Sequence, residues 1–154
     1  MIRVLYKLFL GLLVALFVGF GVSVFYSAPK APDYPVALEN IGANGMTKAQ
    51  EKVNTDYSKR EKTYQTEFAK YNRNVSAIVI VSSIILLLIS LTILLEVAII
   101  GDGILLGGIF TLGYGIIRAF MSESNKYQFG AVTVGLIVAL ILGWWKFLRA
   151  ETKK

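Results

Sequence analysis

The sequence predicts an all-α membrane protein: a four-transmembrane-helix bundle whose second helix extends into the aqueous phase as one long continuous helix. The chain has 154 residues, of which 55% are hydrophobic and 17% are charged. The apolar residues are gathered into runs long enough for a helix to cross a hydrocarbon core of about 30 Å. The polar stretch from Thr47 to Asn74 contains no Pro or Gly that would end a helix before the second run.

The first predicted element, residues 1–26, is a transmembrane helix. Its apolar run from Leu8 to Phe25 follows Arg3 and Lys7. The alternative is a cleaved signal peptide, which has an apolar stretch of about 7–15 residues and small residues at the cleavage site. This run is longer, and Tyr26 stands where a small residue is needed. We therefore interpret residues 1–26 as an uncleaved signal anchor.

A polar segment separates the first two spans. In residues 27–46, Pro29, Pro32 and Pro35 favour an extended, polyproline-like linker that also contains glycines. Residues 47–74 are predicted to form an extramembrane helix, because Thr47 and Gln50 match a capping box at its start. We expect this helix to continue to about Ile99, with its first part reaching about 40 Å beyond the hydrocarbon.

The remaining spans follow from two breaks in the apolar sequence. Gly101-Asp102-Gly103 has the residue types of a tight turn, and a polar connection begins at Ser122. The predicted elements are transmembrane helices over 75–100, 104–121 and 128–148, and a basic tail over 149–154.

These spans predict a multi-pass protein of the cell (plasma) membrane with both termini on one side. We place the termini in the cytoplasm and residues 27–74 outside it. A raw count of Lys and Arg favours the reverse orientation, but cations ahead of the first span usually dominate.

An aromatic stripe runs along the predicted extramembrane helix. Its tyrosines recur at intervals of seven residues, which places them on one helix face. The stripe is formed by Val53, Tyr57, Tyr64, Phe68 and Tyr71. A solvated helix does not need such a face, so three alternatives are open: packing on the chain's own Pro29–Val36 segment, contact with another helix, or binding of a ligand.

Small residues recur at every fourth position in three of the spans. In a bilayer, such residues let two helix backbones approach closely. The predicted helix-packing residues are Gly11, Ala15, Gly19, Gly103, Gly107, Gly115, Ala131, Gly135, Ala139 and Gly143. They predict tight helix pairs within the bundle, or between protomers of a homo-oligomer.

The second span instead carries Ser76, Ser83 and Ser90 at intervals of seven residues. A line of hydroxyls on one face could border a water-filled pore in an assembly. Alternatively, each serine hydroxyl donates to a carbonyl of its own helix.

Two acidic residues, Glu96 and Asp102, fall near one end of the predicted spans. Lys and Arg side chains from both chain ends are expected on the same side, so interfacial ion pairs are predicted. The candidate partners are Arg3, Lys7, Lys146 and Arg149. The alternative function of these acids is an ion or proton site.

The composition excludes several chemistries. Without Cys or His there is no disulfide, no thiol nucleophile and no ordinary zinc site. We therefore predict no catalytic residues, no cofactor and no metal, and the chain is not expected to be an enzyme. The net charge of +6 is spread over loops and chain ends, which suits anionic lipid headgroups better than nucleic acid.

Several short motifs resemble an uncharacterised family of small four-helix bacterial membrane proteins. They are Tyr71-Asn72-Arg73-Asn74-Val75-Ser76 at the start of the second span and Asp102-Gly103-Ile104-Leu105-Leu106-Gly107-Gly108. The similarity extends to Gly113–Phe120 and the fourth span. This resemblance implies a bacterial membrane, and it implies no activity or site.

Two functional hypotheses follow. In the first, the protein is a non-enzymatic, self-associating or accessory scaffold subunit of a membrane assembly that presents its aromatic stripe to a partner. Its partners would be the lipid bilayer, its own copies or other membrane-complex subunits. In the second, it forms an oligomeric channel or pore lined by the serine face of the second span.

Overall fold

The computed structural model describes residues 1–39, 45–92 and 97–145 of the protein. The described chain is all-helical, with a short 3₁₀ turn at Val36–Leu38 between the first two helices. All four α-helices are long and apolar enough to cross a membrane, so this part of the predicted fold class is confirmed and fits a multi-pass membrane protein. The helices are α1 (Ile2–Phe25), α2 (Lys48–Thr92), α3 (Ala98–Phe120) and α4 (Asn125–Gly143).

The second helix combines a polar half, residues 48–74, with an apolar half, residues 75–92. Its 45 residues form one α-helix, in agreement with the predicted extension of the second span. At its start, Thr47 N donates to Gln50 Oε1 at 2.9 Å and Gln50 N donates to Thr47 Oγ1 at 3.3 Å, which is the predicted capping box.

The connection between the second and third spans differs from the predicted one. Helix α3 begins at Ala98, and α2 is described to Thr92, so Gly101, Asp102 and Gly103 are helical. The predicted continuation of the second helix to Ile99 and the predicted start of the third span at residue 104 are therefore wrong, because Ile99 and Ile100 already belong to α3. Gly101 and Gly103 do not form a turn, and instead they allow close contacts between helices. Gly101 O accepts a hydrogen bond from Ser90 Oγ at 2.6 Å, and a Cβ built on Gly103 would lie 2.6 Å from Leu10 Cδ2.

Helix α3 lies at the centre of the bundle and packs closely against α1 through glycines on both helices. A Cβ built on Gly11 would lie 3.1 Å from Gly107 N and 3.2 Å from Gly103 O. A Cβ on Gly107 would lie 2.7 Å from Val14 Cβ. The two backbones can approach this closely only because these positions carry no side chain.

A second face of α3 packs against the apolar half of α2. Cβ atoms built on Gly108 and Gly115 would lie 2.7 Å from Leu87 Cδ2 and 2.8 Å from Ile80 Cγ1. Thr111, buried between them, donates to Gly107 O at 2.7 Å. The central helix therefore presents small residues to both neighbours.

Helix α4 packs on the bundle through a narrow face. Only Ala131 and Gly135 of this helix are buried. A Cβ on Gly135 would lie 2.7 Å from Ile116 Cδ1, whereas Gly130 and Gly143 have no such neighbour within 4 Å among the described residues.

Candidate functional site

The most connected polar cluster surrounds Arg118, near the carboxyl end of α3. Its Nη1 donates to Asn72 Oδ1 at 2.7 Å, and its Nε donates to Tyr114 Oη at 2.9 Å. Asn72 has no exposed surface, and its Nδ2 donates to Phe68 O at 2.8 Å. A single arginine therefore joins α3 to the point where the polar half of α2 meets its apolar half.

Three tyrosine rings complete this group, which we call the Arg118 cluster (Tyr26, Tyr71, Asn72, Tyr114 and Arg118). The guanidinium carbon lies 5.3 Å from the ring centroid of Tyr114 and 5.9 Å from that of Tyr71. Tyr71 in turn stacks on Tyr26, with centroids 5.3 Å apart and an interplanar angle of 2°. Ring faces attract a cation, so they hold the guanidinium in place without cancelling its charge.

Hydrogen bonds at the same end connect all four helices. Asn74 Nδ2 donates to Tyr26 Oη at 2.9 Å, just after α1 ends, and Tyr127 Oη of α4 donates to Arg73 O at 3.0 Å. Ser76 Oγ donates to Gly115 O at 2.7 Å. This end of the bundle is thus fixed by directional bonds as well as by packing.

The charge of Arg118 has no acidic counterpart in the described parts of the chain. No described Asp or Glu forms an ion pair with it, and no described residue accepts a hydrogen bond from its Nη2. A partly buried guanidinium with donors to spare is able to bind a carboxylate or phosphate oxygen.

An open groove of about 460 Å³ leads away from Arg118 between α1 and α3. Its walls are apolar, apart from Ser23 and the polar groups of Tyr114 and Arg118 at one end. A Cβ built on Gly19 would lie 3.8 Å from Tyr114 Cε1, an ordinary contact distance, so the groove here is not closed by side-chain packing.

At the opposite end of the bundle, Lys7 Nζ and Asp102 Oδ2 form an ion pair at 2.6 Å between α1 and α3. Both were predicted to take part in interfacial ion pairs. Arg3 is exposed, and Glu96, Lys146 and Arg149 lie outside the described residues. The predicted pairing is therefore seen for one pair, and the larger predicted cluster stays a prediction.

The aromatic stripe contacts the chain's own extended segment. Tyr57 meets Tyr34 edge-on with centroids 5.4 Å apart, and Tyr71 stacks on Tyr26. Leu38 is buried, and Gln50 Nε2 donates to Ala37 O at 3.0 Å. Val53, Tyr64 and Phe68 are partly buried, and the latter two rings stack at 5.6 Å. Of the three alternatives left open by the sequence, the structure contains self-packing.

The serine face of α2 is covered by α3 or turned toward its own backbone. Ser76 and Ser90 donate to Gly115 O and Gly101 O of α3, and Ser83 donates to Ile80 O at 2.8 Å. All three serines are buried. In this arrangement the face is not available to line a pore between protomers.

The predicted small-residue ridges are only partly in helix contacts. Gly11, Gly103, Gly107, Gly115, Ala131 and Gly135 pack against neighbouring helices. Ala15 and Gly19 line the groove beside Arg118, and Ala139 is exposed. A Cβ built on Gly143 would also have no neighbour within 4 Å, so the second half of the α4 ridge is not in close helix contact within the described chain.

The sequence did not indicate that Arg118, Asn72, Tyr26 and Tyr114 share one site. One signal was present: Tyr114 and Arg118 are four residues apart and so share a helix face. Asn72 lies four residues after Phe68, at the start of an apolar run. Neither pattern indicates that the two groups meet across α2 and α3.

The described residues contain no group of three or more His, Cys, Asp or Glu side chains that could hold a metal ion. The sequence matches no protein-family model, and no curated protein or solved structure is detectably similar to it. The resemblance to small four-helix bacterial membrane proteins therefore rests on the motifs named above.

Proposed function

We propose that this protein is a non-enzymatic subunit of a membrane assembly that holds a stiffened polar helix at a set distance from the bilayer. The observation that carries this proposal is the packing of the polar half of α2 on the chain's own extended segment. The extended segment covers part of the aromatic stripe. We therefore expect a partner to bind the surface formed by the extended segment and the polar half of α2 together, and not the stripe alone.

The dimensions of the two segments support this function. From Tyr71 to Tyr57 the helix advances about 21 Å, at about 1.5 Å per residue. From Tyr26 to Tyr34 a polyproline-like chain covers about 25 Å, at about 3.1 Å per residue. The two paths match closely enough for both tyrosine pairs to form in register. A polar helix of about 40 Å, supported in this way, resists bending better than a single solvated helix.

The surface through which the subunit joins others is proposed to be the uncovered face of α4. Val132, Leu136, Ala139 and Gly143 follow one another at intervals of four and three residues, so they share a face. This face makes no close contact at Gly143 within the described chain, and its small residues permit near approach of a second helix. The partner is another copy of this chain or a different membrane subunit.

Single-cysteine cross-linking tests this proposal, because the natural chain has no cysteine. Ala139→Cys and Gly143→Cys are expected to form intermolecular adducts on mild oxidation in native membranes. A self-adduct has twice the monomer mass of 17.0 kDa. Disulfides form only where Cα atoms come within about 7 Å, so the result reports direct contact.

Gly130→Cys is the matched control, since Gly130 also has no neighbour within 4 Å among the described residues but lies on another face of α4. It is expected to stay monomeric under the same oxidation. Equal cross-linking at Gly130, or no self-adduct at Ala139 and Gly143, would contradict self-association through this face.

A further inference from the structure

We propose that the groove between α1 and α3 binds one anionic phospholipid, with the lipid phosphate on Arg118 and one acyl chain along the groove. This site is separate from the proposed assembly face on α4. The observations that carry it are the charge of Arg118, which pairs with no described acidic residue, the apolar walls of the groove and its length. Each points to the same class of ligand.

The charge of the site selects an anion. Arg118 is held by neutral groups, Asn72 and two tyrosine rings, and forms no ion pair with a described acidic residue. Its Nη2 is free to donate to an oxygen outside the described chain. Guanidinium groups bind phosphate oxygens through paired N–H donors, and the low dielectric beside a bilayer strengthens that bond.

The walls select a hydrocarbon chain. Leu12, Leu16 and Phe20 of α1 are 50%, 44% and 67% exposed, and Phe110 of α3 is 40% exposed. All four line the groove. Such a surface offers water no hydrogen bonds, whereas an acyl chain that lies along it makes van der Waals contacts with both α1 and α3.

The length of the groove corresponds to one leaflet. Leu12 and Ser23, its two ends on α1, are eleven residues apart, which is about 16 Å along a helix. Half of a hydrocarbon core of about 30 Å is nearly the same distance. Because Arg118 lies close to the carboxyl end of α3, the phosphate would sit at headgroup depth while the chain ends near the midplane.

Native mass spectrometry of the full-length protein in a zwitterionic detergent tests this assignment. Dioleoyl phosphatidylglycerol and dioleoyl phosphatidylcholine carry the same acyl chains and differ in net charge. We expect one phosphatidylglycerol to bind about fivefold more tightly than phosphatidylcholine, the preference that one basic residue confers near a membrane surface. Arg118→Gln should abolish this preference, and Arg118→Lys should keep part of it.

Two control variants distinguish effects at this site from the effects of removing any surface charge or adding any large side chain. Lys126→Gln removes an exposed cation at the same end of the bundle and should leave the preference intact. Gly19→Leu fills the groove and should weaken binding of both lipids. Gly21→Leu adds a side chain of the same size where nothing lies within 4 Å of a Cβ, and it should not change the affinity for either lipid.

The proposal is overturned if the natural protein binds the two lipids equally, which would mean annular lipid only. It is also overturned if Lys126→Gln acts as strongly as Arg118→Gln, or if inorganic phosphate alone binds as tightly as phosphatidylglycerol. Should Arg118→Gln fail to fold, Arg118→Lys still tests the charge, and the paired variants at Gly19 and Gly21 still test the groove. Neither glycine takes part in a hydrogen bond of the cluster, and equal lipid binding by the two glycine variants would also overturn the proposal.

Discussion

The side-chain amide of Asn72 joins two helices while having no exposed surface. Its Oδ1 accepts from Arg118 Nη1 and its Nδ2 donates to Phe68 O. Asn72→Leu would leave a charged donor without its acceptor, and hydrogen bonds to charged groups contribute about 1.5–3 kcal/mol. We expect a loss of this size in the free energy of unfolding, measured in detergent micelles.

Asn74→Leu provides the comparison for that variant. Asn74 is exposed and donates only to the neutral Tyr26 Oη among the described groups. Its replacement should cost no more than about 1 kcal/mol. Equal losses for Asn72→Leu and Asn74→Leu would show that neither the burial of Asn72 nor the charge of its donor, Arg118, strengthens this hydrogen bond.

Gly107 is the position where a single methyl group is expected to separate two helices. A Cβ there would lie 2.7 Å from both Val14 Cβ and Val14 Cγ1, and a β-branched side chain in a helix has little freedom to move. Gly107→Ala should therefore lower the free energy of unfolding by about 1–3 kcal/mol.

Gly113→Ala is the matched change on the same helix, since nothing lies within 4 Å of a Cβ at that position. The higher helix propensity of alanine should make this variant as stable as the natural protein or more so. If Gly107→Ala were equally harmless, close approach of α1 and α3 at this position would be ruled out.

The sequence locates the small-residue ridges but not their partners, and helix geometry gives the reason. Every fourth position drifts by about 40° around a helix with about 3.6 residues per turn. Gly103 and Gly115 are thus about 120° apart, and they pack against α1 and α2 respectively. The same drift turns Ala139 and Gly143 away from the face that Ala131 and Gly135 share.

At the scale of single elements, the extended segment before α2 is predicted to stabilise the polar half of that helix. Tyr34→Ala removes the edge-on contact with Tyr57, and aromatic pairs of this kind contribute about 0.5–1.5 kcal/mol. Amide hydrogen exchange in residues 48–60 should accelerate roughly two- to tenfold, while exchange in α3 should not change.

Lys59→Ala serves as the control for Tyr34→Ala. Lys59 is exposed and lies about 200° around the helix from Tyr57, away from the extended segment. Its exchange pattern should match that of the natural protein. If Tyr34→Ala gave the same pattern as Lys59→Ala, the segment would not be supporting the helix.

The sequence predicts the start of α2 and its continuity through the polar half far better than its end and the connection after it. Capping at Thr47 and the lack of Pro or Gly are local signals, and both are realised. Gly101-Asp102-Gly103 looks like a turn because glycine suits turns as well as close helix contacts. Only the position of α1, with Leu10 against Gly103 and Lys7 beside Asp102, distinguishes the two uses.

At the scale of the whole molecule, the four helices predict opposite locations for the chain terminus and the polar half of α2. Arg3→Cys and Lys59→Cys, each the only cysteine in its variant, report the two sides. In right-side-out membrane vesicles, an impermeant maleimide should label Lys59→Cys at once and Arg3→Cys only after permeabilisation. The reverse pattern would invert the predicted orientation, and labelling of both without permeabilisation would contradict an odd number of crossings between them.

The extended segment also connects the polar half of α2 to a second helix of the bundle, α1. The polar half of α2 is continuous with the apolar half of the same helix. It is also attached to α1, because the end of α1 leads directly to Tyr26, which stacks on Tyr71. Because it is attached to both helices, the polar half of α2 has less freedom to tilt relative to the bundle. A partner that docked near Val36 or Met46 would therefore meet a surface that two helices, α1 and α2, hold in place together.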